Sequence, residues 1–474
     1  MRTKALAGTI ALALAFAPAL AGQEAQGTLS LSLEECLVRA LKDNLGVAIQ
    51  VLGPQLSAAG LDLAQEKYIP TLSMSARSSS TENASYSYLD AQTESIINKT
   101  QNFTFLNVSQ AMPTGGTLSL DFTGYKTSTN QTGVTINPRY GTTLRFNLTQ
   151  PLLKNFGTRV SRREIMVAKN NLGVSEESLR NTLMATVYSV ESAYWNLVYS
   201  IENLEVRRQS LQLAKDLLEK NQRSVEIGTL APMEVLSARA EVATREADLI
   251  QAETQIQSNE DQLKLLLNIT GAEDERVTAI VPKDKPTYVV REVALDEALA
   301  AAIANRPDLE ISRIGLETDK LNLSYAKNQA LPDLSLSASY YLPGIDGTRI
   351  IYDGSPLDGI ILDTIPGDIG GALAQTFQAK YPNWNLGLTL SLPLANVFSK
   401  AGLAQARLSM RQAMLEIENK KEEIYLEIKN AVRSVEANYK RIQAYSTARE
   451  LAEQKLAAEE EKRRVGMSTN YMVL

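Results

Sequence analysis

The apolar positions of this chain follow two different periods, each used twice. Leu72, Met74 and Ala76 alternate with Ser73, Ser75 and Arg77, and the pattern returns at Leu334, Leu336 and Ala338. A second alternating run, Leu144, Phe146 and Leu148, leads into Pro151, and its counterpart Leu386, Leu388 and Leu390 leads into Pro393. Period two predicts strands with one wet face and one apolar face. Beyond each second strand the period becomes seven. Leu183, Val190, Leu197, Leu204, Leu211, Leu218 and Val225 form one stripe, and Val187, Tyr194 and Ile201 a second, which turns polar at Arg208, Lys215 and Gln222. After a turn at 228–232 an antiparallel partner carries Val235, Val242, Leu249, Ile256 and Leu263. Later the chain repeats the theme with Ile428, Val435, Ile442 and, past Arg449, Leu456. Sustained heptads predict coiled-coil seams. At 1.5 Å per residue a 161–227 helix would be roughly 100 Å long. Its charges bar it from lipid, so it projects into water.

The two periods belong to a tandem repeat. "LEECLVRALKDNLGV" (33–47) aligns with "LDEALAAAIANRPDL" (295–309) at an offset of 262, and "YIPTLSMSA" (68–76) with "ALPDLSLSA" (330–338) at the same offset. "LRFNLTQPLL" (144–153) matches "LGLTLSLPLA" (386–395), and "VEIGTLAPMEVL" (225–236) matches "RRVGMSTNYMVL" (463–474). Self-similarity of this kind sets the architecture. Repeat one, 22–290, is expected to hold short helices within 33–67, strands within 71–152 and a helical hairpin over 161–268. Repeat two, 291–474, is expected to hold helices within 295–329, strands within 333–394, a long helix over 399–464 and a return helix from 470. The first helix of each repeat starts after Ser32 or Ala294, with acidic residues in its first turn, where the helix dipole favours them. "NFTFLNVSQAMPTGGTLSLDFTGY" (102–125) reads as an added hairpin around Thr114-Gly115-Gly116, and 341–371 as a loop rich in Gly, Pro and Asp.

Composition narrows the function. The chain has no histidine and one cysteine, Cys36, which removes His-based triads and most metal chemistry. Cys36 falls on the apolar side of a short helix and reads as a buried structural thiol. Carboxylates are many but lie on charged helix faces, so no catalytic constellation emerges. The chain reads as no enzyme and needs no cofactor or metal. Net charge is −6 and dispersed, which implies no nucleic-acid surface. Residues 1–21 have Arg2 and Lys4, an apolar run and the small-residue site Ala19-Leu20-Ala21, the pattern of a secretory leader. Beyond it no stretch reads as a transmembrane helix of about 20 apolar residues. Alternating strands in an exported protein instead suit a membrane barrel. Two strand pairs give four strands, too few to close, and open edges are not tolerated in lipid. Copies must therefore pool their strands: two copies would make eight and three would make twelve.

The duplicated openings, the strands entering "QPLL" (150–153) and "LPLA" (392–395), and the helical turns "IGTLAPMEVLSAR" (227–239) and "VGMSTNYMVL" (465–474) resemble the TolC-like outer-membrane efflux proteins over essentially the whole mature chain. The resemblance implies an α+β membrane protein: a homotrimer with a twelve-stranded barrel in outer-membrane lipid and a periplasmic α-helical tunnel. It implies a passive exit duct for a tripartite efflux pump or type I secretion system, partnered by a periplasmic adaptor and an inner-membrane transporter. It places adaptor docking at the turns Ile227-Gly228-Thr229 and Val465-Gly466-Met467. It places the periplasmic entrance at Glu234, whose repeat-two counterpart Met472 is apolar, which puts an acidic entrance gate in question. A competing reading is a periplasmic coiled-coil adaptor or scaffold that never enters the membrane. Because the sequence stops just inside the expected return helix, a chain truncated at Leu474 is expected.

Overall fold

A computed structural model describes residues 27–85, 95–269, 277–288, 292–355, 360–392, 397–468 and 472. The predicted leader, Pro393 and most of the predicted return helix lie outside these residues. The chain divides into two compact units, Met1–Ala48 with Leu183–Val290 and Ala444–Leu474, and Ile49–Thr182 with Arg291–Gln443.

In the first unit a short parallel ribbon joins β1 (Gly27–Leu31) to β6 (Val277–Pro282). The sequence reading contains neither strand, because five or six residues are too few for a period to register. Helix α1 (Leu33–Asp43) follows β1. Ser32 starts it with a capping box: its hydroxyl accepts from the Glu35 amide at 3.2 Å, and the Glu35 carboxylate accepts from the Ser32 amide at 2.7 Å. The Ser32 amide, with a further hydrogen bond and charge from Lys283, holds the Glu35 carboxyl below its ordinary value. The hairpin of this unit is built from α4 (Arg163–Glu226) and α5 (Pro232–Leu266). On α4 the predicted stripe residues Val190, Leu197, Leu204 and Leu211 are buried. On α5 Leu263 of the predicted stripe is buried, Val235, Val242, Leu249 and Ile256 are half-buried, and Ala238 and Ala252, outside that stripe, are buried beside them.

Tyr194 is the polar anchor of that core. It is fully buried, its hydroxyl donates to the Asp284 carboxylate at 2.9 Å, and the same hydroxyl accepts from the Asp284 amide at 3.1 Å. Asp284 also accepts from the Leu33 amide at 2.7 Å, so one carboxylate, just past β6, joins the start of α1 to Tyr194 of α4. Cys36 lies in the same cluster, and burial pushes its thiol up to about 11, which leaves it protonated and inert.

The second unit holds the sheet. Its strands are β2 (Thr71–Ala84), β3 (Ser95–Ala111), β4 (Thr117–Thr129), β5 (Ile136–Pro151), β7 (Asp333–Tyr352), β8 (Ile361–Ile365) and β9 (Asn383–Ser391). All neighbours are antiparallel, in the order β2-β3-β4-β5-β7, with β8 and β9 both pairing β7. The sequence reading counts four strands and sets the 102–125 hairpin apart. In the structure that hairpin is β3–β4, turned at Gly115 (φ 95°), and it lies inside the sheet between β2 and β5. The run on β3 shares the alternation of its neighbours but is broken by the one-residue bulge at Phe105, while β4 keeps it through Leu118, Leu120 and Phe122. A nine-residue helix, α8 (Ile369–Phe377), interrupts the Gly/Pro/Asp loop and packs on β5 and β7.

Helices α2 (Leu45–Glu66) and α7 (Pro307–Gln329), the latter preceded by α6 (Leu295–Asn305), each end a few residues before the proline that leads into a strand, and the four-residue α3 (Thr158–Ser161) leads into α4. Helix α2 corrects one expectation: it is long and apolar enough to cross a membrane by length and composition, with 6% of its span buried. Its small residues raise the hydropathy, and its acidic residues, Asp62 and Glu66, fall at its end. Helix α9 (Val397–Arg464) buries Ile417 and Ile424 with Leu309 of α7, while its later stripe residues Val435 and Ile442 are exposed.

Candidate functional site: a two-faced sheet and two glycine-turned tips

In antiparallel pairing, opposed residues share a face, so the register assigns each face of the sheet row by row. One row reads Leu72, Val108, Leu120, Phe146, Tyr340 and Trp384 from β2 to β9. Neighbouring rows on that face hold Leu118, Leu148, Ala338 and Leu386, then Leu336 and Leu388, then Leu334 and Leu390. Much of this face is bare: Leu72, Met74, Phe146, Trp384, Leu386, Leu388 and Leu390 are all exposed. The opposite face is polar, with the row Ser73, Asn107, Asp121, Arg145, Tyr341 and Asn383. Here Asp121 accepts from Asn107, from Asn147 at 2.7 Å and from Ser119 at 3.1 Å, while Arg145 stacks over Tyr341 at 5.1 Å. An exposed apolar face opposite a satisfied polar one suits lipid on one side and water on the other.

The two helical turns are built alike. Gly228 (φ 77°) and Gly466 (φ 80°) follow α4 and α9 in the left-handed region. The amides of Thr229 and Met467 reach back to the carbonyls of Ser224 and Lys462, at 2.9 and 2.8 Å, which makes each turn a Schellman cap. A Cβ at either glycine would meet open space, so the backbone conformation alone requires glycine there. The turns expose apolar side chains: Ile227 is 76% exposed and Met467 79%, with Val465 exposed beside it. Met233 and Leu236, on the first turn of α5, are exposed as well. The sequence reading omits both, although apolar residues three apart directly after the turn were their signal. Glu234 is exposed on that same turn, and its carbonyl accepts from the buried Asn221 of α4 at 3.4 Å. Met472 is exposed, and together with Leu213, Leu217 and Leu456 it lines a shallow cleft in the first unit. Ile227, Gly228, Thr229 and Glu234 thus sit together around one turn, and Val465, Gly466 and Met467 around the other.

A profile of the outer membrane efflux protein family matches residues 37–269 and 298–474. The chain belongs to that family. Solved structures agree on the fold. The outer membrane channel CmeC of Campylobacter jejuni is 16% identical, with a TM-score of 0.62 over 93% of this chain and 78% of that one. The outer membrane protein VceC of Vibrio cholerae is 18% identical, with a TM-score of 0.61 over 93% of this chain and 88% of that one. CusC, 14% identical, gives a TM-score of 0.61 over 94% of this chain and 86% of that one. Sequence comparison with curated proteins gives no match.

This outer membrane efflux protein is an exit duct of the cell envelope and not an enzyme. It combines an antiparallel sheet with long helices, the fold of the solved channels it is similar to. The competing reading, a periplasmic scaffold that never meets lipid, leaves the family match and the bare apolar sheet face without an explanation.

Proposed function

We propose that three copies of this efflux protein join into one duct, and that the two turns at residues 227–229 and 465–467 dock a periplasmic adaptor carrying cargo from an inner-membrane transporter. One observation carries the reading: two turns of the same Schellman geometry, 238 residues apart, each present a bare apolar residue, Ile227 or Val465, directly before a left-handed glycine. Among the described residues nothing covers those side chains, and a repeated knob is what a partner able to grip both repeats would need. The exposed stripe residues Val435 and Ile442 of α9, and Ile49, Leu52 and Leu56 of α2, provide apolar faces for neighbouring copies. Glu234 lies where a tunnel entrance would be ringed, and its repeat-two equivalent Met472 supplies no charge. The route then serves small-molecule efflux, with protein secretion through the same duct as the second use.

The test is Gly228→Val with Gly466→Val in the full chain. A β-branched residue at positive φ strains each turn by about 1–2 kcal/mol, too little to unfold the hairpins. The expected outcome is an intact detergent-extracted oligomer with dye efflux by the cognate pump abolished. Normal efflux from the double variant would refute the docking assignment.

A further inference from the structure

We infer that each copy contributes six staves to the membrane wall, so that the trimeric duct is an eighteen-stranded barrel with a mouth wider than four strands per copy would make. The inference rests on the proposed trimer for its copy number and on the sheet itself for the staves.

The internal repeat identifies the extra pair. In repeat two the first and last strands, β7 and β9, pair directly over Asp333–Tyr341 and Asn383–Ser391. In repeat one their counterparts, β2 and β5, do not touch: β3 and β4 stand between them, hydrogen-bonded to β2 over Thr71–Ala84 and to β5 over Thr117–Thr127. A hairpin has been added to the middle of the sheet, not to its edge.

Three features make this hairpin part of the wall and not a flap. Its alternation is in phase with its neighbours: Val108 and Leu120 continue the apolar row from Leu72 to Phe146, and Asn107 and Asp121 continue the polar row. The polar face is stitched across four strands, from Ser73 to Asn107 at 3.2 Å, from Asn107 to Asp121, and from Asp121 to Asn147 at 2.7 Å. On the apolar face Phe105 meets Phe122 at 5.1 Å, and Phe122 meets Phe377 of α8 at 5.7 Å. Helix α8 is in turn seated on the wall through the buried Thr142–Thr376 hydroxyl pair at 2.7 Å, and Gly344 lets its backbone approach. Peeling β3–β4 away would break all three sets.

The remaining free edges are β2 on one side and, on the other, β9 with the five-residue β8, which pairs β7 only beyond the stretch that β9 covers and is too short to count as a stave. β2 is exposed along its whole length, and the two strands run in opposite directions across the sheet. The β9 edge of one copy can therefore continue antiparallel onto β2 of the next, and repetition closes the ring. Three copies of six strands give eighteen. With strands about 4.8 Å apart and tilted by about 40°, the backbone diameter grows from about 24 Å for twelve strands to about 36 Å for eighteen.

Electron cryomicroscopy of the full chain in nanodiscs, with native mass spectrometry of the same oligomer, decides the matter. Six strands per copy in the membrane layer is the expected result. Four per copy, with 95–129 outside the wall, would overturn the inference. Six per copy in an oligomer that is not a trimer would refute the trimer and leave the stave count standing. A variant lacking 95–129 should image with four strands per copy. An unassembled variant would support the hairpin's place in the wall, while an assembled one with an unchanged barrel diameter would contradict it.

Discussion

At the scale of single residues, the informative positions are those where one side chain satisfies several others. Asp308, in the first turn of α7, accepts from Arg306 at 3.0 and 2.9 Å and from the Leu309 amide at 2.9 Å, with Lys420 at 3.7 Å. Arg306 also reaches Glu427 of α9 at 2.7 Å, so the pair clamps α7 to α9. The Arg306 guanidinium holds the Asp308 carboxyl below its ordinary 3.8. A depressed acid stabilises the fold above its unfolded value, and that stabilisation is lost as the pH falls through the folded value. Thermal unfolding in detergent should therefore be flat from pH 7 to about pH 5 and fall below pH 4. Asp308→Asn should lower the midpoint at pH 7 and flatten the acid limb. An unchanged acid limb in the variant would remove Asp308 from the account. The glycines at 228 and 466 are residue-scale determinants of another kind, since there a backbone angle, not a contact, decides the amino acid.

At the scale of elements, the heptads and the alternation are two answers to one need, covering apolar surface. In the α4–α5 hairpin the seam does so within one copy, and Leu197 is fully buried against Leu263 and Tyr194 in the same cluster. Leu197→Ala should cost about 2–5 kcal/mol and lower the unfolding midpoint measured by circular dichroism. Leu213→Ala, at a position 60% exposed on the same helix, should change it little. Equal shifts would mean that the seam does not hold the hairpin. The sequence showed this seam clearly because seven-residue spacing persists over many turns. The β3 and β4 strands were legible only as a hairpin, because their place in the sheet is a matter of which strands they hydrogen-bond. The β1–β6 ribbon was not legible, since its partners are about 250 residues apart and each is too short to show a period.

At the scale of the whole molecule, the sheet keeps its apolar face bare in one copy, and the proposed barrel would place that face in lipid. Leu386 lies midway along the edge strand β9 on that face, opposite Ala338, and is 63% exposed. Leu386→Lys should cost about 2–4 kcal/mol if this position meets the bilayer midplane. The measurement is the yield of heat-modifiable oligomer from outer membranes, with Ser337→Lys on the polar face as the control. Equal yields from the two variants would mean that the faces are reversed or that the sheet is not in lipid.

What the sequence determined by itself is local or repeated: the two periods, the duplication, the glycine turns and the lack of catalytic chemistry. Each is written in the spacing of neighbouring residues, and the duplication shows them twice. Only the tertiary structure decided which strands pair, that the added hairpin stands inside the sheet, that Tyr194 and Asp284 tie the first unit together, and which faces stay bare. Those depend on hydrogen bonds and packing between segments far apart in the chain, and no local period records them.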